Sequence, residues 1–204
     1  KVVGKKLSEV TIVVNGAGAA GTAVTNLLLE AGTKNLIILD SKGIVVEGRV
    51  GMEEEKQRLA ERTNQNKKKG GLREAMLGAD VFIGVSRPNL VTAEMIKTMN
   101  EKAIIFAMAN PVPEIMPEVA LAAGAAVVAS GRSDYPNQVN NVLVFPGIFR
   151  GLLDGRIKKV TMKMKLAVAQ ALADIILSPT ATNILPSPLD KGVAAVVAEA
   201  VRKV

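Results

Sequence analysis

The stretch Asn15-Gly16-Ala17-Gly18-Ala19-Ala20-Gly21 decides the fold. Before it, Thr11-Ile12-Val13-Val14 is an apolar run that reads as a buried strand. After it, Thr22-Ala23-Val24-Thr25-Asn26-Leu27-Leu28-Leu29-Glu30 reads as a helix. Gly16, Gly18 and Gly21 thus form a GxGxxG pattern in the strand–turn–helix setting that gives it meaning. Gly16 permits the tight turn out of the strand. Gly18 lets the backbone approach a pyrophosphate, and Gly21 lets the helix pack closely on the strand. The unpaired N–H groups and the dipole of the helix N-terminus complete an anion site. The candidate dinucleotide-binding residues here are Asn15, Gly16, Ala17, Gly18, Ala19, Ala20, Gly21 and Thr22.

The glycines alone would also fit a helix start that serves packing only. A second apolar run separates the two readings. Leu36-Ile37-Ile38-Leu39 ends in Asp40, roughly twenty residues past the glycines, where an acid accepts hydrogen bonds from an adenosine ribose.

The alternation continues along the chain. Helices are predicted over 53–62, 72–77, 92–99 (with Thr92 as N-cap) and 117–123, and strands over 80–85, 103–108 and 125–129. Repeated βα units with short connections predict an α/β, Rossmann-like, doubly wound parallel sheet with helices on both faces. Beyond residue 129 the pattern changes. Residues 131–141 are polar, 142–153 are apolar but interrupted by Pro146-Gly147, and 161–177 form a long amphipathic helix. A proline-containing loop then leads to a last helix, capped by Asp190 and ending near Arg202. The expectation is one continuous domain over residues 1–204, with additional C-terminal helices.

Composition narrows the chemistry. Hydrophobic residues make up 49% of the 204 but aromatics only 2%, so the core must be aliphatic, which suits a parallel sheet covered on both faces. There is no cysteine, hence no disulfide framework or thiolate metal site. There is no histidine either, which removes His bases, His triads and His-ligated zinc. The net charge of +7 raises nucleic acid as a partner, but four Phe, one Tyr and no Trp leave little to stack on bases. A basic surface serves an anionic cofactor or organic acid equally well. Lys67-Lys68-Lys69 reads as a solvated loop. No run is long enough to span a membrane and no signal peptide pattern is present, so the expected location is cytoplasmic, with neither nucleic acid nor membrane as partner.

In open α/β sheets ligands sit beyond the carboxyl ends of the strands. Three further loops lie there. In Gly84-Val85-Ser86-Arg87-Pro88, Val85 and Ser86 can line the dinucleotide, or the segment can be a plain turn. In Met108-Ala109-Asn110-Pro111, the proline keeps Asn110 extended, so its amide can reach a nicotinamide ribose or a substrate carboxylate. The alternative there is an ordinary Asn-Pro turn. In the amide-rich loop 130–141, Asn141 can donate to a substrate carboxylate, or the amides can satisfy the loop's own backbone.

These motifs together resemble the cofactor domain of malic enzymes. The likeness rests on the glycine loop, Asp40-Ser41-Lys42-Gly43, Ala107-Met108-Ala109-Asn110-Pro111, and Ser133-Asp134-Tyr135-Pro136-Asn137-Gln138-Val139-Asn140-Asn141 through Phe145-Pro146-Gly147. It is greatest to the short bacterial and archaeal type and covers essentially the whole chain, including Leu185-Pro186-Ser187-Pro188. Malic enzymes oxidise L-malate with NAD or NADP and decarboxylate the product to pyruvate, with Mg or Mn as Lewis acid and a lysine and a tyrosine moving protons. The resemblance implies that residues 16–22 hold the pyrophosphate, and that Asp40, Ser41 and Lys42 surround the adenosine ribose. Asn110 would meet the nicotinamide end and malate, and Asn141 a malate carboxylate. The charge of Asp40 favours NAD, while Lys42 is near enough to tolerate a 2′-phosphate, so the lean to NAD is slight.

In that family the metal carboxylates, the lysine and the tyrosine precede the glycine loop, and this chain begins ten residues before its first strand. No catalytic residue and no metal ligand is therefore assigned here. The expectation is dinucleotide binding without turnover, the remaining groups coming from an N-terminal domain in a homodimeric enzyme. A module of another amino-acid or hydroxy-acid dehydrogenase, or a non-enzymatic nucleotide sensor, are the competing readings.

Overall fold

Strict alternation of side chains across a pleated strand lets one strand feed two cores. In the computed structural model, which describes residues 1–204, β1 (Thr11–Asn15) sends Val13 to one face and Ile12 and Val14 to the other. β2 (Asn35–Asp40), β4 (Val81–Gly84) and β5 (Ile104–Ala107) divide their side chains the same way. α1 (Ala19–Glu30) and α2 (Glu54–Arg62) contribute Val24, Leu28, Leu59 and Ala60 to one face. α3 (Leu72–Met76), α4 (Ala93–Lys97) and α5 (Pro117–Ala122) cover the other with Ala75, Met76, Ile96 and Ala120. Thr92 caps α4 as predicted, its hydroxyl accepting from the Met95 N–H at 3.4 Å.

With β3 at Gly43–Ile44 and β6 at Val127–Ser130, the six-stranded sheet runs in the order β3-β2-β1-β4-β5-β6. All pairs are parallel except β2 with β3 (Gly43–Ile44), which is antiparallel. The doubly wound sheet is as expected, but this short antiparallel edge was not. Two residues leave no periodicity to read, and only the structure shows Gly43 opposite Asp40. The order reverses between β1 and β4, which makes the crevice above those two strands the switch point where α/β sheets take ligands.

The chain forms two compact units, Val3–Gly131 and Arg132–Val204, described separately. The second contains a short 3-10 turn (Asn141–Leu143), α6 (Phe145–Asp154), α7 (Met162–Ile175) and α8 (Gly192–Arg202). Its core is Leu143, Met164, Val168, Leu172, Val193, Val197 and Val201. The apolar run 142–153 is the end of the 3-10 turn followed by α6, and Pro146-Gly147 does not interrupt the helix. Pro146 falls in its first turn, where its missing N–H costs nothing. Gly147 and Gly151 are contact points, since a Cβ on Gly147 would stand 2.5 Å from Val197 Cβ and one on Gly151 2.7 Å from the Ala198 carbonyl oxygen. The N-cap of α8 is Lys191, not Asp190 as predicted, and no side chain caps the helix; Asp190, one residue earlier, accepts from the Gly192 N–H at 2.8 Å. No helix is long and apolar enough to cross a membrane.

Candidate dinucleotide-binding site

A cleft of about 510 Å³ opens at the switch point between the loops that follow β1, β2 and β4. Asn15, Gly16, Ala17, Gly18, Asp40, Ser41 and Ser86 line it, joined by Lys56 and Arg87. Each glycine differs in its surroundings. Gly16 has φ +123°, a conformation that L side chains rarely adopt, and a Cβ there would lie 2.8 Å from the Val85 carbonyl oxygen. A Cβ on Gly21 would lie 1.7 Å from the Gly16 carbonyl oxygen, so helix and loop touch there. A Cβ on Gly18 would meet no atom within 4 Å, so its bareness leaves open space on the cleft side. Gly16 and Gly21 thus fit the tight turn and the close helix packing that the sequence assigns to them.

α1 begins at Ala19, three residues ahead of the predicted Thr22, because Ala19 and Ala20 are strong helix formers and Gly18 takes the N-cap position. No side chain caps it and its first turn holds no acidic residue. The first-turn N–H groups and the positive end of the dipole are thus left for an anion. Thr22 and Gly21 are buried behind the loop, and Ala19 and Ala20 are exposed on it. The Asn15 amide donates to Ser86 Oγ at 2.9 Å, linking the ends of β1 and β4. Val85, half-buried, packs into the core beneath and donates its N–H to the Asn15 carbonyl oxygen at 3.0 Å.

Asp40 is less free than its position in the sequence suggests. Arg49 clasps it with two bonds, Nη1 to Oδ1 at 3.0 Å and Nη2 to Oδ2 at 2.5 Å. The Lys42 N–H donates to Oδ1 at 2.9 Å, and Lys56 Nζ stands 3.6 Å from Oδ2. Burial alone would raise the Asp40 carboxyl. The Arg49 hydrogen bonds, the Lys42 N–H and the charges of Arg49 and Lys56 outweigh it and hold the group below the ordinary carboxylate range. The Asp40 end of the cleft therefore carries one carboxylate and two cations. Arg49 and Lys56 had no signal in the sequence, since they lie on the next loop and helix and reach back only through the fold. Lys42 itself is exposed.

Asn110 and Asn141 are both exposed and neither lines this cleft. The amide-rich loop has structural uses. Asn137 donates to the Ala181 carbonyl oxygen at 2.8 Å and accepts from the Ile184 N–H at 3.0 Å, tying the loop to the segment before α8. Asn140 accepts from the Val142 N–H at 3.0 Å. A separate cavity of about 640 Å³ in this unit has a mixed lining that includes Tyr135, Asn137, Gln138, Asn140, Leu185 and Leu189. No group of three or more acidic side chains that could hold a metal ion is assembled. Sequence reasoning also passed over Glu114, which is fully buried at the end of the β5 loop.

This geometry has close counterparts. The family described as malic enzyme, NAD binding domain, matches residues 1–204. A bifunctional malic/malolactic enzyme of Bacillus subtilis is 50% identical over all of this chain and half of its own length. An NADP-dependent malic enzyme of Rhizobium meliloti is 48% identical over 84% of this chain and 23% of its own. The crystal structure of an NAD-dependent malic enzyme from Thermotoga maritima superposes with a TM-score of 0.94 at 46% identity, covering 98% of this chain and 53% of that one. The chain thus spans about half the length, or less, of the proteins it matches. With glycine loop, switch-point cleft and β2 acid in place, and with likeness over its whole length, the chain belongs to the malic enzyme family as its NAD-binding domain.

Proposed function

We propose that this chain is the cofactor half of an enzyme that oxidatively decarboxylates L-malate to pyruvate and CO2, and that it takes NAD with only weak discrimination against NADP. The observation that carries the reading is the cleft at the switch point, with bare Gly18 on one side and Asp40 on the other. The loop backbone from Gly16 to Gly18 and the first-turn N–H groups of α1 hold the pyrophosphate. Asp40 receives the adenosine ribose hydroxyls through the acceptor capacity that Arg49 leaves, with Ser41 and Lys42 alongside. The bound dinucleotide supplies the hydride acceptor. Val85 and Ser86 flank its nicotinamide half, Asn110 orients it against malate, and Asn141 holds a malate carboxylate. The divalent Mg or Mn ion, its carboxylate ligands, the lysine and the tyrosine come from the rest of a cytoplasmic, homodimeric enzyme, to which residues 1–204 contribute one cofactor domain.

The weak discrimination follows from charge. A lone carboxylate would repel a 2′-phosphate, but Arg49 and Lys56 offset Asp40. Calorimetric titration of the chain should give NAD and NADP affinities within about tenfold of each other, NAD the tighter. Lys56→Ala should weaken NADP more than NAD. Malate-dependent reduction with Mn should be undetectable for the chain alone and appear when a malic enzyme N-terminal half is supplied. Turnover by the chain alone would overturn the division of labour, and absence of binding by either dinucleotide would overturn the reading of the cleft.

A further inference from the structure

We propose that Glu114 is a positioning residue that fixes the nicotinamide half of the dinucleotide site, by locking the loops after β4 and β5 to each other. The inference rests on the cofactor reading given above. The side chain of Glu114 is fully buried, yet it forms no ion pair. Its two oxygens accept from two backbone N–H groups instead, Ser86 at 3.1 Å and Ala109 at 3.0 Å. Ser86 lies two residues beyond β4 and Ala109 two beyond β5, so one carboxylate spans the carboxyl ends of adjacent strands. The backbone of the same segment reinforces the link, with the Val91 N–H donating to the Glu114 carbonyl oxygen at 3.0 Å.

Gly84 shows that the fold is shaped around this group. It closes β4, in a position where any L-residue would fit the backbone and a side chain would stabilise the strand. A Cβ there would stand 2.3 Å from the Glu114 carboxyl carbon. Burying an acid and surrendering a strand side chain both cost stability, offset here by the two backbone N–H groups that the carboxylate satisfies. The position of the group accounts for its retention. Asp40 on β2 marks the adenosine side of the switch point, and the pyrophosphate crosses at the glycine loop, so the nicotinamide half lies over β4 and β5. The loops that Glu114 joins are those two. Through Ser86 Oγ, which accepts from the Asn15 amide, the network reaches back to the first residue of the glycine loop. On its other side it ends at Ala109, next to Asn110.

The test compares NAD with ADP-ribose, which keeps the adenosine, the pyrophosphate and the second ribose and lacks only the nicotinamide ring, so it reads the ring end of the nicotinamide half. ADP-ribose and NAD are titrated into the wild-type chain, Glu114→Gln and Gly84→Ala. The first variant turns one acceptor into a donor facing an N–H, and the second displaces the carboxylate without touching it chemically. Each is expected to bind ADP-ribose within about twofold of wild type and NAD at least about tenfold more weakly. Equal weakening of both ligands, or no weakening of either, overturns the proposal. In the wild-type chain, the Ser86 and Ala109 amide resonances should both shift on adding NAD and stay in place with ADP-ribose. Resonances that ignore NAD, or respond alike to the two ligands, overturn it without any variant. Failure of the wild-type chain to bind ADP-ribose would overturn the cofactor reading itself.

Discussion

At the scale of single residues, the glycine loop separates what a fold needs from what a ligand needs. Gly21 is required by packing, because its Cβ would penetrate the Gly16 carbonyl oxygen at 1.7 Å. Gly21→Ala should therefore destabilise the chain by about 3 kcal/mol or more, at the upper end of overpacking costs. Gly18 meets nothing, so Gly18→Ala should leave the melting temperature unchanged while NAD binding weakens by about tenfold, since the added methyl projects where the pyrophosphate lies. Thermal melts and titrations of the two variants check both halves, and a Gly18→Ala chain that binds NAD normally would count against this placement of the phosphates. Much of the site is legible from sequence because phosphate recognition by backbone demands glycines at fixed spacing. Asp40 is legible for a similar reason, being fixed to a strand end. Arg49, Lys56 and Glu114 are not, because each reaches its partner across loops whose course only tertiary structure sets. The mixed character of this end of the cleft, one acid between two cations, is thus hidden in the sequence, and with it the charge balance on which the proposed weak cofactor discrimination rests.

At the scale of elements, the strands carried clear signals and their ends did not. Continuous aliphatic runs are what a sheet buried on both faces requires, so β1, β2, β4, β5 and β6 could be read directly. α1 was read three residues short because its opening Ala19-Ala20 belongs to the glycine pattern as well as to the helix. α6 was obscured by Pro146-Gly147, whose roles in starting the helix and admitting α8 are visible only once both helices are in place. The amino ends of the strands hold a second buried acid, Asp80, which opens β4. It accepts from Lys5 Nζ at 2.6 Å, the Thr11 N–H at 2.8 Å and the Asn100 amide at 3.0 Å, and so pins the N-terminal segment, β1 and the turn before β5 together. Burial raises this carboxyl, but the bonds from Lys5, Thr11 and Asn100, with the charge of Lys5, prevail and lower it. A carboxyl lowered in the folded state adds stability that is complete above its unfolded value near 3.9 and is lost as pH falls through the folded value. Asp80→Asn should cost about 1–3 kcal/mol at neutral pH. It should also flatten the decline in melting temperature below about pH 4. Parallel acid titrations of the two proteins would show it, and identical acid limbs would deny Asp80 that role.

At the scale of the whole molecule, the excess of basic residues acquires a direction. Lys56 and Arg87 border the cleft that also holds Gly18 at the uncapped start of α1, so part of the +7 charge lies at the proposed dinucleotide site. Lys67 pairs with Glu47 at 3.1 Å and Lys68 donates to the Leu77 carbonyl oxygen at 2.9 Å, so the densest basic run is partly occupied with holding its own loop. The cofactor should accordingly act as a structural ligand of the chain. Any ligand bound only by the folded state stabilises it by RT ln(1 + [L]/Kd), about 2.7 kcal/mol at a hundredfold excess over Kd. For a chain of this size each kcal/mol raises the melting temperature by about 2–4 °C, so saturating NAD should raise it by about 5–10 °C. Because the cleft charges are partly solvated, the rise should shrink in high salt as screening weakens the phosphate contacts. ADP-ribose should give most of the effect and nicotinamide alone almost none, since the pyrophosphate and adenosine contacts lie on the pre-formed glycine loop and the Asp40 cluster. Melting curves recorded against each ligand at low and high salt measure all of these quantities. A transition that does not move with NAD would mean that the glycine loop, open and uncapped as it stands, is not by itself a dinucleotide site.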